Sequence, residues 1–274
     1  MSDDDDDMRD DDDDYDYDYG IFVEGVAGTY DEILVPALFD PWASEVTARL
    51  GEASGTVLDV ACGTGVLAQH LIDAGWTHVI GVDLSPWMLE RAMERTPEAE
   101  WMEGDLCALP LDDGAADALA SSFGLMFITE PGEALAEMAR VTRRGGPMVI
   151  STWGYLEDSP GMYCIAEALE SVAGLSGSKP LRRAFTMGDL DELAEHADDV
   201  GLADVRVSVH TIDVLFDSLS DIAEVYSTSL GLGDPSEAEA LEEVLTTTMK
   251  PWMQGDTVEF PLSGIILEAT GRGN

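Results

Sequence analysis

The sequence predicts an α/β fold built on a mostly parallel sheet, and three observations support this prediction. Short apolar runs alternate with amphipathic helical segments, which is the pattern of strands joined by crossover helices. The run from Val57 to Val60 is rich in branched apolar residues, as expected for a strand buried on both faces. A turn containing Gly63 and Gly65 follows at once and leads into a helix.

The first half of the chain follows this alternating pattern in order. Residues 29–50 predict a helical lead-in, which Pro36 and Pro41 interrupt and can divide into two short pieces. Ser85-Pro86 is typical of a helix start. The predicted strands lie at about 56–61, 78–83, 99–103, 116–122 and 147–153, and the helices between them at about 65–75, 86–95 and 131–142.

The pattern changes after residue 153, where helical segments become longer. Residues 160–173 and 187–200 predict helices, and the second leads into a strand at about 203–210. A further helical stretch covers residues 218–248, and its glycine-rich middle divides it in two. The last predicted strand lies at about 260–269.

Two acidic residues end the first two predicted strands. Asp59 precedes the glycine turn. Asp83 lies 24 residues after Asp59, at the end of the second strand. A carboxylate at Asp83 can accept hydrogen bonds from both hydroxyls of a ribose. The run at 63–68 also resembles a dinucleotide fingerprint, with alanine in its third place. Asp59 would repel a pyrophosphate and suits a cationic amino-acid group instead.

Four segments in order resemble the motifs of class I S-adenosylmethionine-dependent methyltransferases. DVACGTGVL at 59–67 resembles the first motif, and EGDLCALPL at 103–111 is similar to the segment after the third strand. Residues 117–124 resemble the fourth strand, and residues 134–146 the helix and turn that follow it. Arg144 stands where the family usually has proline. The small-molecule branch that includes UbiE and Coq5 is the most similar one.

This resemblance implies a Rossmann-like, seven-stranded, mostly parallel sheet with helices on both faces and an antiparallel last strand. It implies one methyltransferase domain at 20–274, with the S-adenosylmethionine-binding core at about 30–153. Helical inserts at about 155–184 and 218–257 would form a lid above the strand ends.

The resemblance also assigns cofactor-binding roles to individual residues. Asp59 would face the methionine end of S-adenosylmethionine, Asp83 the ribose hydroxyls and Asp105 the adenine amino group. The other implied cofactor residues lie beside these three acids or close over the cofactor: Tyr30, Ala61, Gly63, Gly65, Leu84, Leu106 and Ser122. No catalytic residue and no metal ligand is identified, since such an enzyme mainly positions its reactants. The four histidines are interpreted as structural or surface residues.

The predicted activity is therefore transfer of a methyl group from S-adenosylmethionine to an oxygen or carbon nucleophile of a small molecule. Two alternatives stay open on the sequence. One is a catalytically inactive binding protein with the same fold, and the other is a NAD-dependent oxidoreductase.

The charge of the chain is extreme, with 56 Asp and Glu against 13 Lys and Arg and a formal net charge of −43. Residues 1–19 hold 12 of the aspartates, which predicts a disordered polyacidic tail. The acidic, lysine-poor composition resembles that of proteins from salt-accumulating halophiles. It also argues against a nucleic-acid partner, which needs a basic surface. No apolar run reaches about 18 residues, so no membrane span is expected. The N-terminal stretch is acidic, unlike the basic start of a signal peptide, and a cytoplasmic location is therefore expected.

Overall fold

The computed structural model of the protein describes residues 26–229 and 235–271, so the predicted tail at 1–19 lies outside the described residues. The strands are β1 (Thr56–Val60), β2 (His78–Asp83), β3 (Glu100–Glu103), β4 (Ala118–Ser122), β5 (Pro147–Trp153), β6 (Ala203–Phe216), β7 (Met253–Gln254) and β8 (Thr257–Thr270). The α-helices are α1 (Val26–Thr29), α2 (Asp40–Arg49), α3 (Val66–Asp73), α4 (Pro86–Arg95), α5 (Pro131–Val141), α6 (Pro160–Ala184), α7 (Leu190–Asp199), α8 (Leu219–Ser229) and α9 (Pro235–Thr248). A π-helix, Tyr30–Phe39, connects α1 to α2.

These strands form one sheet in the order β3-β2-β1-β4-β5-β8-β6, with β7 paired to β8. Strands β1 to β5 pair in parallel, and β8 is antiparallel to both β5 and β6. The prediction of a mostly parallel sheet with an antiparallel last strand is confirmed. The predicted count of seven strands is wrong by one, because Met253 and Gln254 form the additional short strand β7. A strand of two residues has no periodicity that a sequence could reveal.

Apolar side chains on opposite faces of the sheet belong to two separate cores. Val57 and Val149 face the core that contains α2, α3 and the later helices α6, α8 and α9. Leu58 and Ile150 face the other core, to which α5 and α7 contribute. Helices therefore cover both faces, and the carboxyl ends of β1, β2 and β4 are left at one edge of the sheet.

Three elements extend beyond their predicted bounds. Strands β6 and β8 have 14 residues each and pair from Ala203–Thr270 to Phe216–Val258, whereas about eight to ten residues were predicted for each. Helix α6 continues to Ala184 after an interruption at Gly174, whose φ of 71° and ψ of −172° are not helical. Polar residues in the added parts of both strands and the glycine inside α6 conceal these extensions in the sequence.

The lead-in is one continuous helical segment rather than two pieces. Pro36 lies inside the π-helix, and the chain passes directly from Phe39 into α2. Because proline lacks an N–H, it cannot continue an α-helical ladder, and the wider π-helical turn occurs at this point. The lead-in lies next to α8 and α2, and its residue Tyr30 reaches the carboxyl ends of the strands.

None of the helices within the described residues has the length and apolar composition needed to cross a membrane.

Gly81→Ala is expected to destabilise the protein by about 1–3 kcal/mol, the usual cost of overpacking a core. A methyl group on Gly81, in the middle of β2, would overlap two atoms of the Trp101 ring. Thermal or urea unfolding measures the change. Gly132→Ala in α5 is the matched control, because the nearest atom to its added Cβ would be 4.0 Å away. Equal stability of the two variants would contradict the prediction.

Loss of structure is expected below about 0.5 M salt, since the Debye length reaches about 3 Å only near 1 M. The excess acidic side chains, which give a formal net charge of −43, repel one another in dilute buffer and oppose compaction. Circular dichroism along a KCl series measures the transition, and NaCl at equal ionic strength should act equally. A helical signal that is unchanged down to low salt would disprove this expectation.

Candidate cofactor site

A cavity of about 230 Å³ lies at the carboxyl ends of β1, β2 and β4. In open α/β sheets, ligands bind where the strand order reverses, and here β1 separates β2 from β4. The wall of the cavity consists of the loops after these strands and after β3, the first turn of α4 and Tyr30 from the π-helix. The polar groups of this wall define the chemistry of the site.

The loop between β1 and α3 turns sharply beneath the cavity. Ala61, Gly63 and Gly65 all have positive φ, at 56°, 53° and 80°. A Cβ on Gly65 would lie only 2.7 Å from the Trp101 ring, so a larger residue would displace the loop. Gly65 is also the residue before α3, whose first N–H groups have no partner within the helix. This geometry brings backbone close to any ligand in the cavity.

Asp83 connects two loops of the site. Its Oδ2 accepts a hydrogen bond from the Gly63 N–H at 2.7 Å, and its Oδ1 accepts one from the Ser85 N–H at 2.9 Å. Burial raises the pKa of this carboxyl, and the backbone N–H groups partly offset the increase. A carboxylate has about four acceptor positions, so Asp83 can still receive hydrogen bonds from ribose hydroxyls. Its role in shaping the glycine loop was not predicted.

Asp59 lies in a smaller compartment of about 30 Å³, which shares Tyr30, Ala61, Gly63 and Ser122 with the larger cavity. Its side chain is buried, and Oδ2 has no hydrogen-bond partner among the described residues. Burial raises the pKa of Asp59 from 3.8 to about 8, and the nearby Asp83 adds to the increase. A buried carboxylate without a partner is costly, and a cationic group would satisfy it. This orphaned oxygen fits the amino end of S-adenosylmethionine.

The side of the cavity assigned to adenine carries one acid and several apolar residues. Asp105 Oδ1 accepts a hydrogen bond from the Cys107 N–H at 2.8 Å, so this carboxylate also stabilises its own turn. Leu106 is buried beside it, and Leu84 lies half exposed across the cavity. Trp87 also lines this side, although the sequence interpretation did not select it.

Aromatic residues dominate the opposite side, at the ends of β4 and β5. Phe123 follows Ser122 with a φ of 59° and stacks on Trp153 with ring centroids 3.6 Å apart. Trp153 stacks in turn on Phe185 at 5.7 Å, and Phe127 completes the wall of the cavity. None of these aromatic residues was predicted as functional. For Phe123, the positive φ that sets its position leaves no signal in the sequence.

The structure brings nine of the ten predicted cofactor residues to the two compartments. Eight line the larger cavity: Tyr30, Ala61, Gly63, Asp83, Leu84, Asp105, Leu106 and Ser122. Asp59 lines the smaller compartment, and Gly65 lines neither. Gly65 therefore contributes through the turn it permits rather than through contact with the cavity.

The four histidines lie away from both compartments. His70 Nε2 is 2.8 Å from Asp40 Oδ1, and His78 Nδ1 is 2.8 Å from Thr56 Oγ1. His210 Nε2 lies 2.8 Å from Ser208 Oγ on β6, and His196 lines a separate cavity beside α7. No histidine is therefore placed to act as a base in the site.

A family model described as a methyltransferase domain matches residues 58–150, which include both acids and the glycine loop. The demethylmenaquinone methyltransferase of Renibacterium salmoninarum is 35% identical over 196 residues, which cover 66% of this chain and 82% of that protein. The ubiquinone/menaquinone biosynthesis C-methyltransferase UbiE of Roseobacter denitrificans is 33% identical over 148 residues, covering 50% of this chain and 59% of that protein.

Two solved structures share the fold at low identity. The YcgJ protein of Bacillus subtilis has a TM-score of 0.59 at 18% identity, covering 85% of this chain and 98% of that one. Phosphoethanolamine N-methyltransferase 2 of Haemonchus contortus, in complex with S-adenosyl-L-methionine, has a TM-score of 0.57 at 16% identity. That match covers 89% of this chain and 56% of the Haemonchus chain.

Proposed function

The chain belongs to the S-adenosylmethionine-dependent methyltransferases of the UbiE and demethylmenaquinone methyltransferase type, and from this premise we propose that it methylates a carbon or oxygen of a hydroxylated aromatic ring. The observation that carries the proposal is the aromatic part of the cavity wall, to which Tyr30, Phe123 and Phe127 contribute. Aromatic side chains favour flat rings as neighbours, in stacked or edge-to-face contact. The names of the two relatives support a quinol-type ring.

The acid–base groups of the site favour a substrate that ionises readily. Ser122 and Tyr30 are the hydroxyl-bearing residues that both compartments share. Burial and the nearby Asp83 raise the pKa of Tyr30, which keeps its hydroxyl protonated and makes it a hydrogen-bond donor rather than a base. A phenol or quinol fits such a site, because it becomes nucleophilic without a strong protein base.

The residues of this chain would then bind the cofactor, orient the two reactants and exclude water. Asp59 would hold the amino end of the cofactor, Asp83 its ribose hydroxyls and Asp105 its adenine. When bound, S-adenosylmethionine supplies a methyl group on a positively charged sulfur. Phe123 and Tyr30 would keep water from the space beside Ser122, so that positioning accounts for most of the rate enhancement.

The predicted inserts would cover the substrate. Helix α9 packs on both α6 and α8, and α8 also lies against the π-helix. Phe185, directly after α6, extends the aromatic wall by stacking on Trp153. We therefore assign substrate selection to this lid and to the aromatic residues beneath it.

Methyl transfer to defined acceptors tests the proposal. The protein is incubated with tritiated S-adenosylmethionine in about 2–3 M KCl, where charge is screened, together with a prenylated 1,4-naphthoquinol, catechol or phosphoethanolamine. Label is expected on the quinol or the catechol, with a product heavier by one methylene. Transfer to phosphoethanolamine alone would contradict the proposal. Binding of S-adenosylhomocysteine without transfer to any acceptor would favour the inactive binding protein.

A further inference from the structure

We infer that Arg95 is a positioning residue that holds the helical lead-in over the cofactor cavity and thereby slows release of the spent cofactor. The inference rests on the proposed function, because it concerns S-adenosylhomocysteine in the same cavity. Arg95 itself does not line either compartment. Its effect would pass through Asp31 on the π-helix and Thr64 in the glycine loop.

One guanidinium contacts two segments that contribute residues to the cavity wall. Arg95 is the last residue of α4, and its Nε donates a hydrogen bond to the Thr64 carbonyl oxygen at 3.0 Å. Its Nη2 donates a hydrogen bond to Asp31 Oδ1 within an ion pair. The planar guanidinium presents several donors in a fixed arrangement, so it can hold two acceptors in one geometry. Arg95 therefore connects the lead-in to the loop beneath the cavity.

The residue next to this ion pair covers the cavity. Tyr30 precedes Asp31, lines both compartments and stacks on Phe39 with ring centroids 5.0 Å apart. Because Tyr30 and Asp31 share one helical turn, the pair with Arg95 restrains the position of the tyrosine ring. Opening the ion pair would free the lead-in to move away from the cavity.

The ion pair is partly protected from solvent. The side chains of Arg95 and Asp31 are 27% and 23% exposed, whereas those of Arg143 and Asp117 are 50% and 38% exposed. Salt screens partly buried pairs less than exposed ones, so the contact can persist at high ionic strength. The chain has only 13 lysines and arginines, and one of them is placed at this junction.

Dissociation of S-adenosylhomocysteine, measured by stopped-flow tryptophan fluorescence in about 2–3 M KCl, tests the inference. Trp87 lines the cavity and provides a signal. Arg95→Ala and Asp31→Asn are each expected to speed dissociation about tenfold, as for a contact worth about 1.4 kcal/mol. The double variant should be no faster than Arg95→Ala, because that substitution already breaks the contact that Asp31→Asn removes. Arg95→Lys should give an intermediate rate, since it keeps the charge and loses the fork.

Arg143→Ala is the control, because it removes an arginine whose Nε lies 2.7 Å from Asp117 Oδ1. Asp117 directly precedes β4, whereas the cavity lies at the other end of that strand. Its dissociation rate should equal that of the wild type. A wild-type rate in Arg95→Ala, or additive effects in the double variant, would overturn the positioning role of Arg95. Neither result would affect the proposed function. Failure of the wild type to bind S-adenosylhomocysteine would overturn the proposed function as well. Should Arg95→Ala not fold, Arg95→Lys and Asp31→Asn decide the question.

Discussion

Asp83→Ala is expected to weaken S-adenosylmethionine binding about 10- to 150-fold. The figure corresponds to about 1.5–3 kcal/mol for losing an ionised hydrogen-bond acceptor. The structure places the expected effect at the upper end of this range. Asp83 accepts hydrogen bonds from Gly63 and Ser85, so its removal also leaves two N–H groups of the site without a partner.

Calorimetric titration of S-adenosylmethionine and S-adenosylhomocysteine in about 2–3 M KCl measures this change under screened conditions. Asp112→Ala removes an exposed aspartate outside the cavity and should bind both ligands as the wild type does. Circular dichroism of each variant separates lost binding from lost structure. An affinity close to that of the wild type in Asp83→Ala would refute the ribose-binding role.

The affinity for S-adenosylmethionine is expected to rise about 50-fold between pH 6 and pH 8, by about tenfold over the first pH unit and by less over the second, as the ionised fraction of Asp59 approaches one half. The pKa of Asp59 is about 8 because the side chain is buried, so the carboxyl is mostly protonated at pH 6. A cationic ligand group prefers the ionised carboxylate, and binding therefore has to release this proton. The release costs less free energy as the pH approaches the pKa.

Titrations in buffers of different ionisation enthalpy measure the released proton directly. Asp59→Asn should remove the proton release and flatten the pH profile, and it should bind more weakly than the wild type at pH 8. Any pH dependence that remains in Asp59→Asn comes from the ligand's own amino group, so the difference between the two proteins reports Asp59. Identical pH profiles in both would show that Asp59 does not face the cationic end.

The same pKa shift acts in the opposite direction on the stability of the ligand-free protein. The pKa of Asp59 is raised on folding, so the folded state binds this proton more tightly than the unfolded state does. The contribution of Asp59 to stability is fully present below about pH 4 and is lost as the pH rises toward 8. Urea unfolding of the wild type and of Asp59→Asn across this pH range measures the contribution of Asp59 to the free energy of unfolding. The same pH dependence in both proteins would contradict this prediction.

The sequence was a good guide to the strands of the sheet core and to the acids at their ends. The second strand and the helix after it occupy the predicted residues, because a buried run and a Ser-Pro helix start are both local signals. Trp87 and Phe123 were missed for different reasons. The position of Trp87 depends on the direction in which α4 leaves the sheet, and that of Phe123 on an unusual φ.

Local chemistry alone determined the sheet, the glycine loop and the two acids, since strand period, turn residues and strand ends are all encoded over a few neighbouring positions. Only the tertiary structure decided which groups meet across long distances. Arg95 reaches Asp31, which is 64 residues away, and Asp59 is buried because the lead-in and the loops close around it. Burial and long-range contact arise from the packing of the whole chain, so the raised pKa of Asp59 and the restraint on Tyr30 have no local signature.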